Sequence, residues 1–103
     1  MKPTEPTIHY QDIGDTEIQY LFYEGLEPTI VFLHATGFLH WLWHPIARRL
    51  KSEFRIIAPY FCDHREPDSE KKYISWAKLA EDLAHLCDAL NIETPFLVGH
   101  SMG

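Results

Sequence analysis

Phe96-Leu97-Val98-Gly99-His100-Ser101-Met102-Gly103 carries a short apolar run straight into G-x-S-x-G. Entered through Thr94-Pro95, the run reads as a buried parallel strand, apolar over its whole length and bounded by a turn signal. A strand leading directly into this pattern is the setting of a nucleophile elbow, a sharp strand-to-helix turn that lifts a serine hydroxyl above the edge of a sheet. By composition alone, a chance match somewhere in a chain of this length is roughly 3%. The strand in front of the motif separates an elbow from an ordinary Gly-Ser-Gly turn.

Upstream of that stretch lies the clearest helix. Trp76, Leu79, Ala80, Leu83, Leu86, Cys87 and Leu90 recur on one face, with Lys78, Glu81, Asp82, His85 and Asp88 on the other. Ser75 is placed to cap its start and Asn91 to end it in a left-handed conformation. Phe54 to Pro59 forms another short apolar strand, and the charged stretch from Cys62 to Lys72 reads as a loop. Leu39, Leu42, Trp43, Ile46, Ala47 and Leu50 give an earlier helical stripe, compatible with Pro45 only in the first turn. Thr29 to His34, apolar on both faces, has the pattern of a central strand. Thr7 to Asp12 and Glu17 to Glu24, joined by Ile13-Gly14-Asp15-Thr16, read as a hairpin, and Gly25-Leu26-Glu27-Pro28 separates it from the central strand. The order is β-β-β-α-β-α-β, an α/β fold with an antiparallel N-terminal hairpin on a parallel sheet.

At 103 residues, 46% of them hydrophobic, the chain is one domain at most. Its formal charge of −6 is uneven, because residues 1–40 hold one basic side chain against six acidic ones. The absence of a basic stripe argues against nucleic acid and anionic membranes as partners. Cys62 and Cys87 stand 25 apart without C-x-x-C spacing and read as two reduced thiols, with a single disulfide as the minority alternative. The start lacks the apolar stretch of a signal peptide and no run is long enough for a membrane span, so a cytoplasmic protein is expected.

The segments Leu79 to Leu83 and Leu90 to Gly103 resemble the α/β-hydrolase superfamily, in particular its serine esterase, lipase and peptidase-like branch, whose elbow reads G-H-S-M-G. His34-Ala35-Thr36-Gly37-Phe38 is similar to the family's H-G-x-G or H-G-x-P oxyanion loop, and Trp43 and Arg55 to Pro59 fall where the family has a helix tryptophan and its next strand. The resemblance covers residues 17–103. It implies a single incomplete domain over 1–103, the N-terminal half of the fold, ending at the elbow. Ser101 would be the nucleophile, and the backbone N–H groups of Met102 and Thr36 would form the oxyanion hole. Gly99 and Gly103 would permit the close backbone approach of the elbow, while His34 and Gly37 would shape the oxyanion loop. His100 is expected to point away from Ser101 and to pack. No metal or organic cofactor is implied.

Two departures stand out. Ala35 replaces the usual glycine, and Tyr60 to Asp68 replaces the D-x-R-G-x-G-x-S loop of many relatives. The family order Ser, then Asp or Glu, then His places both triad partners beyond position 103. The chain alone is therefore expected to be inactive. Asp63 and His64 read as a solvated loop pair rather than a local triad. His40 and His44, at i and i+4 with Trp41 and Trp43 interleaved, read as packing residues rather than zinc ligands. The elbow stores on the order of 1–3 kcal/mol of backbone strain. Without a following helix, Ile30, Phe32, Leu97 or their neighbours are expected to be exposed and to invite self-association. A non-catalytic remnant or interaction fragment is the alternative reading.

Overall fold

The computed structural model describes residues 6–34, 39–50, 53–61 and 76–100. Five strands and two helices follow the expected order: β1 (Thr7–Asp12), β2 (Glu17–Tyr23), β3 (Thr29–Leu33), a 3₁₀ turn (His40–Trp43), α1 (His44–Leu50), β4 (Arg55–Pro59), α2 (Trp76–Ala89) and β5 (Phe96–Gly99). The sheet order is β1-β2-β4-β3-β5. β1 pairs antiparallel with β2, and β2 antiparallel with β4. β3 pairs parallel with both β4 and β5. The expected antiparallel hairpin on a parallel sheet is what forms.

Local chemistry fixes the hairpin. Asp12 opposes Glu17 in register, Ile13 donates its N–H to the Thr16 carbonyl at 2.9 Å, and Asp12 Oδ1 accepts the Gly14 N–H at 2.7 Å. Gly14 has φ +115°, a region a side chain rarely enters. After β2, Gly25 lies so close to the Phe54 carbonyl that a Cβ there would collide with it. Leu26 accepts the Arg55 N–H at 2.7 Å, fastening this connection to the start of β4.

Because side chains alternate across a strand, the sheet has two apolar faces. Leu21, Tyr23, Ile30, Phe32, Ile56 and Ala58 meet Trp43, Ala47 and Leu50 on one. Ile18, Tyr20 and Ile57 meet Leu79, Leu83, Leu86 and Leu90 on the other, with Phe61 and Ile92 beside them. α1 and α2 therefore cover opposite faces.

Both helices are rolled from the orientation that apolar periodicity suggests. At about 100° per residue, Trp43, Ala47 and Leu50 share one line, with His40 and His44 to one side and Leu42 and Ile46 to the other. The sheet takes the histidine side: His40 is buried, whereas Leu39, Leu42 and Ile46 are exposed. In α2, Asp82 is fully buried although its charge places it on the solvent face, and Ala80 is exposed. Leu79, Leu83, Leu86 and Leu90 set the centre of the buried face, and Asp82 lies about 60° from Leu79 while Ala80 lies about 100° away. Lys78, one turn earlier, brings its ammonium to 4.0 Å from Asp82 Oδ1. The helix ends as expected at Asn91, at φ 58°. The Ile92 N–H reaches the Cys87 carbonyl and the Asn91 N–H that of Asp88, a Schellman pairing.

β5 is parallel, as expected, but it is not buried. Phe96, Leu97 and Val98 are 61%, 56% and 37% exposed. β5 is the edge strand, and α2 packs over β2 and β4 rather than over it. Ile30 and Phe32, also expected to be exposed, are buried; Phe32 lies under the Trp43 ring, with centroids 4.7 Å apart. Cys87 carries a free thiol; Ser75 and Cys62 lie outside the described residues. Among the described residues, no helix is long and apolar enough to cross a membrane.

The two glycines differ in a measurable way. Gly14→Ala should cost about 1 kcal/mol through backbone strain alone, since nothing crowds a Cβ there. Gly25→Ala should cost more, about 1–3 kcal/mol, because backbone must move. Urea denaturation of the two variants checks the ranking.

Candidate active site

The carboxyl ends of β3, β4 and β5 lie along one sheet edge, since these strands are parallel. From β3 the chain crosses to β4 on one side and later to β5 on the other, which makes β3 the switch point. In open α/β sheets that is where the crevice for a ligand forms. The two segments leaving β3 and β5 begin in contact: Leu33 opposes Gly99, and the His100 N–H donates to the Leu33 carbonyl at 3.2 Å. The His100 side chain is exposed rather than packed, a consequence of its place after the edge strand.

His34 follows β3 and is buried. Its Nε2 accepts the Phe61 backbone N–H at 2.9 Å, which fixes a lone pair on Nε2. The ring stacks on Tyr60 with centroids 5.4 Å apart and planes 21° from parallel. One side chain thus joins the end of β3 to the chain just beyond β4. Thr36, Gly37, Ser101, Met102 and Gly103 lie outside the described residues, as do Ala35, Asp63 and His64.

A second histidine stands at the far end of the 35–39 connection. His40 is 4% exposed, and its Nε2 lies 2.7 Å from Gln19 Oε1. The Gln19 amide nitrogen donates to the Tyr10 hydroxyl at 2.9 Å, so Oε1 is the acceptor and His40 Nε2 carries the proton. Nδ1 is then a buried lone pair with no hydrogen-bond partner among the described residues. Burial, with a smaller contribution from the nearby His34, lowers the His40 pKa to about 4. Its ring also faces Tyr60, at 5.2 Å. His44 instead shares a 2.7 Å hydrogen bond between Nδ1 and the Tyr23 hydroxyl. The two histidines are tied to different residues of β2. Among the described residues no group of three His, Cys, Asp or Glu side chains is placed to hold a metal.

Gln19 and Tyr60 were not singled out by the sequence. The available signal was positional, since Gln19 shares its strand face with Leu21 and Tyr23 and so points inward.

A family model for the alpha/beta hydrolase fold matches residues 28–103. The chain belongs to the α/β-hydrolase family. It is 36% identical over 76 residues to 3-oxoadipate enol-lactonase 1 of Acinetobacter baylyi, a match covering 74% of this chain and 28% of that one. An uncharacterised protein of Mycobacterium tuberculosis is 32% identical over 79 residues, covering 77% and 23%. The solved epoxide hydrolase of Vigna radiata superimposes with a TM-score of 0.83 at 25% identity, covering 100% of this chain and 33% of that one. The chain therefore spans about a quarter to a third of the length of these relatives.

His40 makes stability depend on pH with a defined sign. Its folded pKa lies below the unfolded value of 6.5, so its contribution is complete above pH 6.5 and is lost as pH falls toward 4. A shift of this size corresponds to a loss on the order of 3 kcal/mol between those limits. Denaturation midpoints at pH 7 and pH 4, compared with those of His40→Gln, isolate the contribution. The variant should lose less stability on acidification than the parent.

Proposed function

We propose that the protein of which this chain forms a part is a cytoplasmic serine hydrolase acting on an ester, thioester or amide of a small molecule. The carrying observation is the meeting of β3 and β5 at the switch point. There Leu33 opposes Gly99 and the His100 N–H meets the Leu33 carbonyl, just before Ala35-Thr36-Gly37 and Ser101-Met102-Gly103 in the sequence. That placement supports an oxyanion loop beside a nucleophile turn.

In this reading, Ser101 Oγ attacks the carbonyl carbon while a histidine base takes its proton, and the oxyanion is held by the N–H groups of Thr36 and Met102. Collapse expels the alcohol, thiol or amine, protonated by the same histidine. Water then attacks the acyl-serine, releasing the acid and restoring Ser101. No metal or cofactor takes part in these steps. His34 serves as a structural residue, since its Nε2 lone pair already accepts the Phe61 N–H and is not free to act as a base. Gly37, Gly99 and Gly103 have the steric roles of loop and elbow. The relatives named as hydrolases, an enol-lactonase and a carbamate hydrolase among them, support the chemical class. The triad acid and histidine belong to a longer product, so residues 1–103 alone are inactive.

A product extended to the length of these relatives should be labelled at Ser101 by a fluorophosphonate probe, located by peptide mass spectrometry. Residues 1–103 alone should neither label nor turn over a p-nitrophenyl ester. A folded extended product that stays unlabelled would sink the serine mechanism.

The exposure of Phe96, Leu97 and Val98 on an edge strand favours a second reading, a non-catalytic interaction fragment that self-associates. It predicts a concentration-dependent mass above that of a monomer in light scattering. Leu97→Lys should lower that mass. A strictly monomeric 1–103 chain would remove this reading.

A further inference from the structure

We propose that the groove at the base of the β1–β2 hairpin binds an organic ammonium ion, with Glu17 as its counter-ion and Tyr10 as its aromatic wall. The inference does not use the serine reading. The groove holds about 400 Å³ and is lined by Tyr10, Thr16, Glu17, Gln19 and Tyr60. β1 and β2 are antiparallel, as are β2 and β4, so the Asp12 end of β1, the Glu17 end of β2 and the Pro59 end of β4 lie at one sheet edge. β4 stands between the β2 wall of the groove and β3, which puts that wall two strands away from β3.

The charge of the groove calls for a cation. Asp12 and Glu17 are direct cross-strand partners, and residues so placed share a sheet face. Two like charges in that position repel and weaken the hairpin. Asp12 has its own use there, since its Oδ1 accepts the Gly14 N–H at 2.7 Å. The Glu17 carboxylate has no hydrogen bond or ion pair among the described residues. Lys78 comes to 4.0 Å from Asp15, but Glu81 and Asp82 on its own helix share it. An ammonium ion beside Glu17 removes a repulsion that the hairpin otherwise retains. The aromatic wall is already in place for it. Tyr10 is 64% exposed, yet its hydroxyl accepts the Gln19 amide N–H at 2.9 Å. Gln19 is held in turn by His40 Nε2–H at its side chain and by the Tyr60 N–H at its carbonyl, at 2.7 and 2.8 Å. A ring fixed before binding loses little rotamer freedom when a ligand settles against it. The quadrupole of that ring attracts a cation, and the attraction adds to that of the carboxylate. The volume suits a small amine.

The test titrates two probes into the extended product, followed by ligand-observed NMR. One is phenethylammonium chloride; the other is 2-phenylethanol, which has nearly the same shape without the charge. At low ionic strength phenethylammonium should bind with a dissociation constant of about 1 mM or tighter, and about 10-fold more tightly than the alcohol. Raising the salt to about 0.5 M should narrow that preference. Glu17→Gln should weaken phenethylammonium about 5-fold and leave the alcohol within about 2-fold of the parent. Tyr10→Ala should weaken both probes about 3-fold or more. Glu17 and Tyr10 are exposed, and native circular dichroism establishes that each variant folds. If Tyr10→Ala does not fold, Glu17→Gln decides. Equal affinity for the two probes, parental phenethylammonium affinity in Glu17→Gln or in folded Tyr10→Ala, or no binding up to about 10 mM overturns the inference.

Discussion

The parallel pairing of β3 with β4 on one side and β5 on the other constrains everything else in this chain. A right-handed crossover from β3 to β4 puts α1 on one face of the sheet. The return past β3 to β5 reverses direction and puts α2 on the opposite face. Two connections leaving one edge in opposite senses cannot close over the gap between them. The segments after His34 and His100 start at this gap. This arrangement is set by topology before any side chain is considered.

The sheet must also be wide enough for both helices, and the hairpin supplies the width. β2 lends Leu21 and Tyr23 to the α1 face and Ile18 and Tyr20 to the α2 face, so it contributes to both cores. Both helices consequently sit toward β2 and β4. β5 receives one hydrogen-bonded neighbour and no covering helix among the described residues, and its three apolar side chains face water. The core therefore sits in the middle of the sheet, on β2, β4 and β3, while the outer strands β1 and β5 are both exposed.

The fold was legible because it depends on patterns that local chemistry enforces. Alternation identified β2, apolar runs bounded by glycine or proline identified β3, β4 and β5, and Asn91 marked the Schellman end of α2. Burial was less legible, for a physical reason. An apolar run such as Phe96-Leu97-Val98 has the same composition at the centre of a sheet as at its edge, and only the strand order distinguishes them. The roll of each helix was hidden for a related reason. A charged residue such as Asp82 reads as solvent-facing, and although His40 and His44 read as packing residues, nothing local shows that they meet Gln19 and Tyr23, about twenty positions away on another element. Of the candidate site, Gly99 ends β5 and His34 follows β3, whereas the contacts of Gln19 and Tyr60 with the histidines left no motif at all.

Those hidden pairs share a property that bears on how α1 is held. Leu39, Leu42 and Ile46 stay exposed, each without the roughly 1.5–3 kcal/mol that full burial gives. The same orientation buries His40, whose Nδ1 has no hydrogen-bond partner among the described residues. A neutral hydrogen bond is worth about 1 kcal/mol net, so the His40 contact adds less stability than an apolar side chain would. The histidine face has a different consequence. It fixes the azimuth of the 3₁₀ turn and α1 through two directional bonds to β2, at Gln19 and Tyr23, whereas apolar contacts would tolerate several azimuths. Directional bonds select one geometry where hydrophobic contact selects a range. Two such bonds hold the 3₁₀ turn and the start of α1 against β2 in one orientation.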